Sequence, residues 1–209
     1  MTTLTKRDLL DRLNKSKDPQ IEPIIVTPIL DHSDQLGICG IDVRLGKQFI
    51  IFKQHLTGFF TPLRDGHNGG DIADYQEEII VPIKSHIVLH PGQLIIGSTL
   101  EYVCVPKSLE CQVEGRSSWA RLGLIVAAAS TIEPGYKGVI TLELSNVGTI
   151  PLELFPGVKI AQLIFHTCSM PHTLAPDEEK RKKYQCAIGP GFSRISKDVH
   201  LNYFCKAPR

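Results

Sequence analysis

This sequence lacks an excess of charge of either sign: 23 Lys and Arg stand against 22 Asp and Glu in 209 residues, a formal net charge of +1. Bulk electrostatics therefore gives no reason to expect nucleic acid or a membrane surface as partner, and any anion site must be local. No segment reaches the roughly 20 uninterrupted apolar residues of a membrane span, and the opening MTTLTKRDLLDRLNKSKD has no apolar stretch of signal-peptide length. The expectation is a soluble, cytoplasmic protein. Paired cysteine spacing is missing as well: Cys39, Cys104, Cys111, Cys168, Cys186 and Cys205 form no C-x-x-C, which favours reduced, structural thiols.

Several catalytic signatures are also absent. Zinc hydrolases and deaminases need H-E-x-x-H, or H-x-E with P-C-x-x-C, and none of the eight histidines begins such a pattern. No protein zinc site is expected. The phosphate loop G-x-x-x-x-G-K-[ST], a strand-linked G-x-G-x-x-G and the esterase G-x-S-x-G are missing, so ordinary P-loop, dinucleotide and simple esterase readings fall away.

What is present is mostly β. Thr5-Lys6-Arg7-Asp8 has the form of a capping box with Asp in the usual Glu position, and Leu9, Leu10 and Leu13 follow at helical spacing. Beyond residue 38 come short runs rich in Val, Ile, Leu and Phe: GIDVRLGKQFIIF, EEIIVPI, HIVLHPGQLIIGSTLEYVCV, LGLIVAAA, GVITLELSNV and PLELFPGVKIAQLIF. Pro91-Gly92, Pro134-Gly135 and Pro156-Gly157 set the central residues of type II turns. Many short strands at this spacing predict a sandwich, jelly roll or barrel within one domain, 1–209, with a helical region over 1–20 and a charged tail over 172–209. Residues 56–76 read as a long exposed loop.

Two stretches carry possible chemistry. In Gly115-Arg116-Ser117-Ser118-Trp119-Ala120-Arg121, a glycine permits close backbone approach, hydroxyls bond phosphate oxygens and guanidinium groups add bidentate charge-assisted bonds. The same residues also suit a strand-to-helix turn with serine as N-cap and exposed arginines. In Val139–Asn146, Ile140, Leu142 and Leu144 face one way and Thr141, Glu143 and Ser145 the other. Leu152-Glu153-Leu154 repeats the pattern, so alternation by itself cannot separate a catalytic glutamate from a solvent-facing one.

In order and spacing, GRSSWARLGL, IEPGYKGVITLELSN and PLELFPGVKIAQLIF resemble the dCTP deaminase branch of the dUTPase superfamily. The resemblance extends to Gly40–Gly46, to the His90-Pro91-Gly92 turn and to Lys183-Tyr184, and so spans most of the chain. It implies a distorted, jelly-roll-like or dUTPase-like β-barrel domain, a homotrimer with active sites between subunits, and deamination of dCTP to dUTP without zinc. Mg²⁺ would accompany the triphosphate, bound to phosphate oxygens rather than to dedicated protein ligands.

The resemblance also assigns residues. Glu143 is the general base and acid; Ser117 and Arg121 position water and organise the carboxylate; Arg116, Ser118 and Lys183 meet the triphosphate. Trp119, Ala120, Thr141, Leu142 and Tyr184 complete the substrate-binding set, Glu133 takes the place of an aspartate that contacts deoxyribose, and Tyr136 stands at an aromatic position of the turn. Trp119 replaces a usual leucine and is expected to pack under the loop. Ala187 stands where a glutamine is common, and AAASTIE is shorter than in some deaminases. The expected activity is therefore dCTP deamination, with three readings to separate by product: deaminase, dUTP or dCTP pyrophosphatase (alone or combined with deamination), and a dNTP-binding sensor without turnover.

Overall fold

The first helix, α1 (Lys6–Leu13), begins where the sequence places it. Asp8 Oδ2 accepts from Thr5 N at 2.9 Å and from Thr5 Oγ1 at 2.7 Å, so one carboxylate satisfies the start of the helix. Leu9 is fully buried, and Leu10 and Leu13 pack beside it against the core. Ahead of α1, Leu4 N donates to Phe165 O at 2.9 Å and Thr167 N to Thr2 O at 3.0 Å, adding the N-terminal residues to the sheet.

The structure, a computed structural model, describes residues 2–13, 21–53, 75–127, 131–169 and 185–195. Residues 56–74 of the loop expected over 56–76, Lys183 and Tyr184, and the rest of the tail lie outside those residues; Gln76, at the end of that expected loop, instead opens a strand and is buried. The strands are β1 (Ile25–Thr27), β2 (Ile41–Arg44), β3 (Gln48–Phe52), β4 (Gln76–Ile80), β5 (Ile87–Leu89), β6 (Leu94–Cys104), β7 (Leu109–Gly115), β8 (Leu124–Ala127), β9 (Thr131–Ile132), β10 (Lys137–Asn146), β11 (Leu152–Leu154) and β12 (Lys159–Thr167). Two short helices, α2 (His32–Gln35) and α3 (Ser117–Ala120), interrupt them.

One sheet runs β4-β3-β6-β10-β8, with β1 also on β6; a second runs β2-β12-β7-β9; β11 and β5 form a separate pair. All of these pairings are antiparallel, as expected for short strands joined by tight turns. The distorted jelly-roll expectation is met in an open form: among the described residues the sheets do not close into a continuous barrel. Gly92, Gly135 and Gly157 have φ of +77°, +77° and +91°, the left-handed third position that the Pro-Gly turns require.

Between the two large sheets, Ile140, Leu142 and Leu144 of β10 join Ile41 and Val43 of β2 and Leu163 and Phe165 of β12 in one apolar core. A buried ion pair crosses it. Arg44 Nε lies 2.7 Å from Glu101 Oε1, Arg44 N donates to Glu101 Oε2 at 2.8 Å, and Gln35 Nε2 donates to Oε1 at 3.3 Å. Arg44 Nη2 donates in turn to Pro28 O at 2.9 Å. These bonds supply the partners without which a fully buried carboxylate would be prohibitive.

Candidate active site

The turn after β7 forms because the apolar alternation of Leu109, Cys111 and Val113 ends where the chain meets a glycine, Gly115, followed by residues able to turn. Arg116 has extended dihedrals, φ −74° and ψ 130°, and acts as the N-cap of α3 without a side-chain capping bond. The sequence suggested serine there; Ser117 and Ser118 instead occupy the first helical positions, with both side chains exposed. Trp119 lies half-buried against the core, and its Nε1 donates to Lys159 O at 2.9 Å, so it packs under the turn as expected. Gly123, at φ +95°, ends the segment: a Cβ there would stand 2.6 Å from Gly148, so only glycine permits the close approach.

Charge concentrates around the first arginine. Arg116 Nη1 lies 3.3 Å from Asp42 Oδ2, Lys159 Nζ lies 3.4 Å from the same oxygen, and Gln162 Nε2 donates to Asp42 Oδ1 at 3.3 Å. Lys159 Nζ also contacts Asp34 Oδ1 at 2.6 Å and Asp34 O at 2.7 Å. Arg121, at the C-terminal end of α3, is exposed. The turn thus presents two guanidinium groups and two hydroxyls together, a set suited to phosphate oxygens.

From this turn the chain runs directly into β8, which pairs with β10 so that Ala127 faces Glu143 and Ile125 faces Ser145. On its other side β10 pairs with β6, where Ile96 faces Glu143 and Ser98 faces Thr141. Glu143 is half-buried on the face away from the core, and burial raises its carboxyl above the ordinary value. Its counterpart Glu153 is exposed and 3.9 Å from His86. The structure therefore separates two glutamates that the Leu-Glu-Leu pattern could not.

Other expected site residues lie on or near β10 in differing surroundings. Thr141 Oγ1 accepts from Gly191 N at 3.2 Å. Tyr136 donates from its hydroxyl to Val139 O at 2.7 Å, and burial pushes that phenol up to about 12. Its ring packs against the core, so its hydroxyl is committed to the main chain. Glu133 is exposed beside the Pro134-Gly135 turn. Leu142 is fully buried, and its side chain belongs to the core rather than to a polar cleft.

The described part of the tail, read from sequence as solvated, docks instead on β10. Ala187 forms a parallel bridge with Gly138, Val139 N donates to Ala187 O at 2.9 Å, and Cys186 N donates to Lys137 O at 2.6 Å. One chain therefore brings Arg116 through Arg121 together at one turn, and Thr141 and Glu143 together on the neighbouring strand. Among the described residues no hydrogen bond or ion pair joins Glu143 to Ser117 or Arg121. Sequence reasoning gave no role to Asp42 or Lys159. Each is one of two polar residues in a largely apolar run, IDVRL and VKIAQL, which is the trace it leaves in the sequence.

Residues 3–168 match a family described as dCTP deaminase-like. The chain is 38% identical over 200 residues to a dCTP deaminase of Halorubrum lacusprofundi, covering 95% of this chain and 94% of that one. It is 36% identical over 203 residues to a dCTP deaminase, dUMP-forming, of Methanobrevibacter smithii, covering 96% and 99%. A 2′-deoxycytidine 5′-triphosphate deaminase from Agrobacterium tumefaciens has a similar fold, with a TM-score of 0.59 at 22% identity, over 87% of this chain and 52% of that one. This chain thus spans about half the length of that structure. With the ordered motifs, the open β architecture and the extent of the match agreeing, the chain belongs to the dCTP deaminase-like family.

Proposed function

We propose that this protein is an enzyme that hydrolyses the C4 amino group of dCTP, giving dUTP and ammonia. The observation that carries the reading is Glu143: a half-buried carboxyl with a raised proton affinity, on a polar strand face one strand away from a turn bearing two arginines and two serines. A raised carboxyl is a stronger base once ionised and is more readily protonated again, and a proton shuttle uses both properties. Arg116 and Ser118, with Lys183 of the tail, bind the triphosphate. Ser117 and Arg121 orient the attacking water and the catalytic carboxylate.

In the reaction, Glu143 takes a proton from water as the oxygen bonds to C4 of the base. That proton goes to N3 as the C4–N3 double bond becomes single; Glu143 then moves the proton of the new C4 hydroxyl to the amino group, the C4–N bond breaks with its electron pair on nitrogen, and ammonia leaves. A C4 carbonyl remains and Glu143 is ionised again. Magnesium enters with the triphosphate as part of the substrate, and no zinc takes part. The working form is a homotrimer with each site between subunits. In support, Leu94 and Ile125 flank Ser145 on the face that bears Glu143, and both are exposed, at 40% and 49%, beside exposed Leu122 and Val147.

A second reading adds cleavage of the triphosphate to give dUMP; relatives of similar identity carry both names, dCTP deaminase and dCTP deaminase, dUMP-forming. Chromatography of dCTP incubated with the protein and Mg²⁺ separates the outcomes. dUTP with ammonia supports deamination alone, and dUMP with pyrophosphate supports both steps. dCMP with pyrophosphate, or tight binding without product, would overturn the deaminase reading.

A further inference from the structure

Asp42 takes no part in the chemistry above, yet it is where the first arginine of the turn is anchored. Strand register places Asp42 opposite Gln162, whose amide donates to Oδ1 at 3.3 Å. The glutamine side chain is itself confined. A Cβ on Gly40 would stand 2.7 Å from Gln162 Cγ and 2.8 Å from Cδ, and one on Gly37 would stand 3.1 Å from Nε2. Gly40 and Gly37 thus leave the space that the Gln162 side chain fills, and its amide meets one oxygen of Asp42.

The other oxygen meets two cations, Arg116 Nη1 at 3.3 Å and Lys159 Nζ at 3.4 Å. Contact through Nη1 leaves the Nε and Nη2 donors of the guanidinium for an anion. A free arginine loses rotamer entropy when it closes on phosphate, whereas one already held has less to lose. A carboxylate so near a phosphate would by itself repel it; Lys159 offsets this in part, its charge being shared with Asp34 at 2.6 Å.

We propose that Asp42 is a positioning residue that holds Arg116 ready for the substrate triphosphate, with Gln162 and Gly40 orienting Asp42 in turn. This rests on the reading of Arg116 as a phosphate contact. The test is a double-mutant cycle in a Glu143→Gln background, with equilibrium binding of dCTP to Asp42→Asn, Arg116→Ala and both together. Asp42→Asn is expected to weaken binding about tenfold, the scale of one charge-assisted contact, and to have no further effect once Arg116 is alanine. With Glu143 intact, the same variant should raise KM with little change in kcat.

Equal weakening in both backgrounds would make Asp42 a merely structural residue, and tighter binding by Asp42→Asn would make it a competitor of phosphate; either overturns the proposal. Unchanged affinity in Arg116→Ala alone removes the phosphate reading of that arginine, a pattern distinct from additive losses, and the proposal falls with it. If Asp42→Asn fails to fold, Gln162→Leu removes the orienting amide and keeps both charges. It should show the same dependence on Arg116, and additive loss in that cycle would equally overturn the idea.

Discussion

Glu143 and Glu153 are the central residues of two Leu-Glu-Leu segments ten residues apart, alike in pattern but not in setting: the first is half-buried with its carboxyl raised, the second exposed beside His86. Burial has taken water from the Glu143 carboxyl and so raised its proton affinity. Glu143→Gln should lower kcat by about 10²–10⁴-fold, the range of a lost general acid or base, whereas Glu153→Gln should leave turnover within about twofold. Steady-state ammonia release from dCTP measures both. Equal losses would deny Glu143 a special role.

Burial sets the sign of a pH effect. The folded chain holds the Glu143 proton more tightly than the unfolded chain does, so this group's contribution to stability is complete below the ordinary glutamate value and is lost as pH rises through the raised one. Glu143→Gln cannot ionise, so its unfolding midpoint should exceed the parent's at about pH 8 and match it near about pH 4. Thermal unfolding at the two pH values checks this. In turnover, the acid limb of kcat/KM should fall above the ordinary glutamate value, since the base must be ionised to take a proton from water.

The two arginines of the turn should separate kinetically. Arg116, tied to Asp42, is expected to serve binding, and Arg116→Ala should weaken dCTP affinity by about 1.5–3 kcal/mol, or roughly 10- to 100-fold. Arg121, exposed at the far end of α3, is expected to serve the reacting base, so Arg121→Ala should lower kcat more than it raises KM. Loss of affinity alone in both variants would reduce the turn to a phosphate-binding loop.

The Arg44 and Glu101 pair predicts a stability effect remote from the turn. Removing one charge leaves its partner buried without compensation, so Glu101→Leu should destabilise by about 3–5 kcal/mol. The double variant Arg44→Met with Glu101→Leu should recover much of that loss, because no buried charge is left. Urea unfolding of the parent, Arg44→Met, Glu101→Leu and the double variant compares them directly, and additive losses would argue against a coupled pair.

Much of this was legible in the sequence because its causes are local. A threonine and an aspartate three residues apart started α1, and Pro-Gly pairs set three turns. Strand β7 was missed, since Leu109, Cys111 and Val113 alternate with Glu110, Gln112 and Glu114 and leave too few apolar residues for a visible run. The buried partner of Arg44 was out of reach for another reason: Glu101 is 57 residues away and is joined to it only by the packing of one sheet on another. Asp42 was likewise visible as a residue but not as an anchor for Arg116, because that contact exists only after β2 and β7 flank β12.

Strand β10 shares one margin between two neighbours, β8 along Glu143–Asn146 and the docked tail at Gly138. The Val139 amide, bonded to Ala187 O, therefore reports whether the tail is seated, while the amides opposite β8 report on the sheet itself. Deuterium uptake at these two places gives a clock for tail release that runs independently of turnover. It can be read in the same samples in which Glu143, four residues further along the same strand, is tested for turnover.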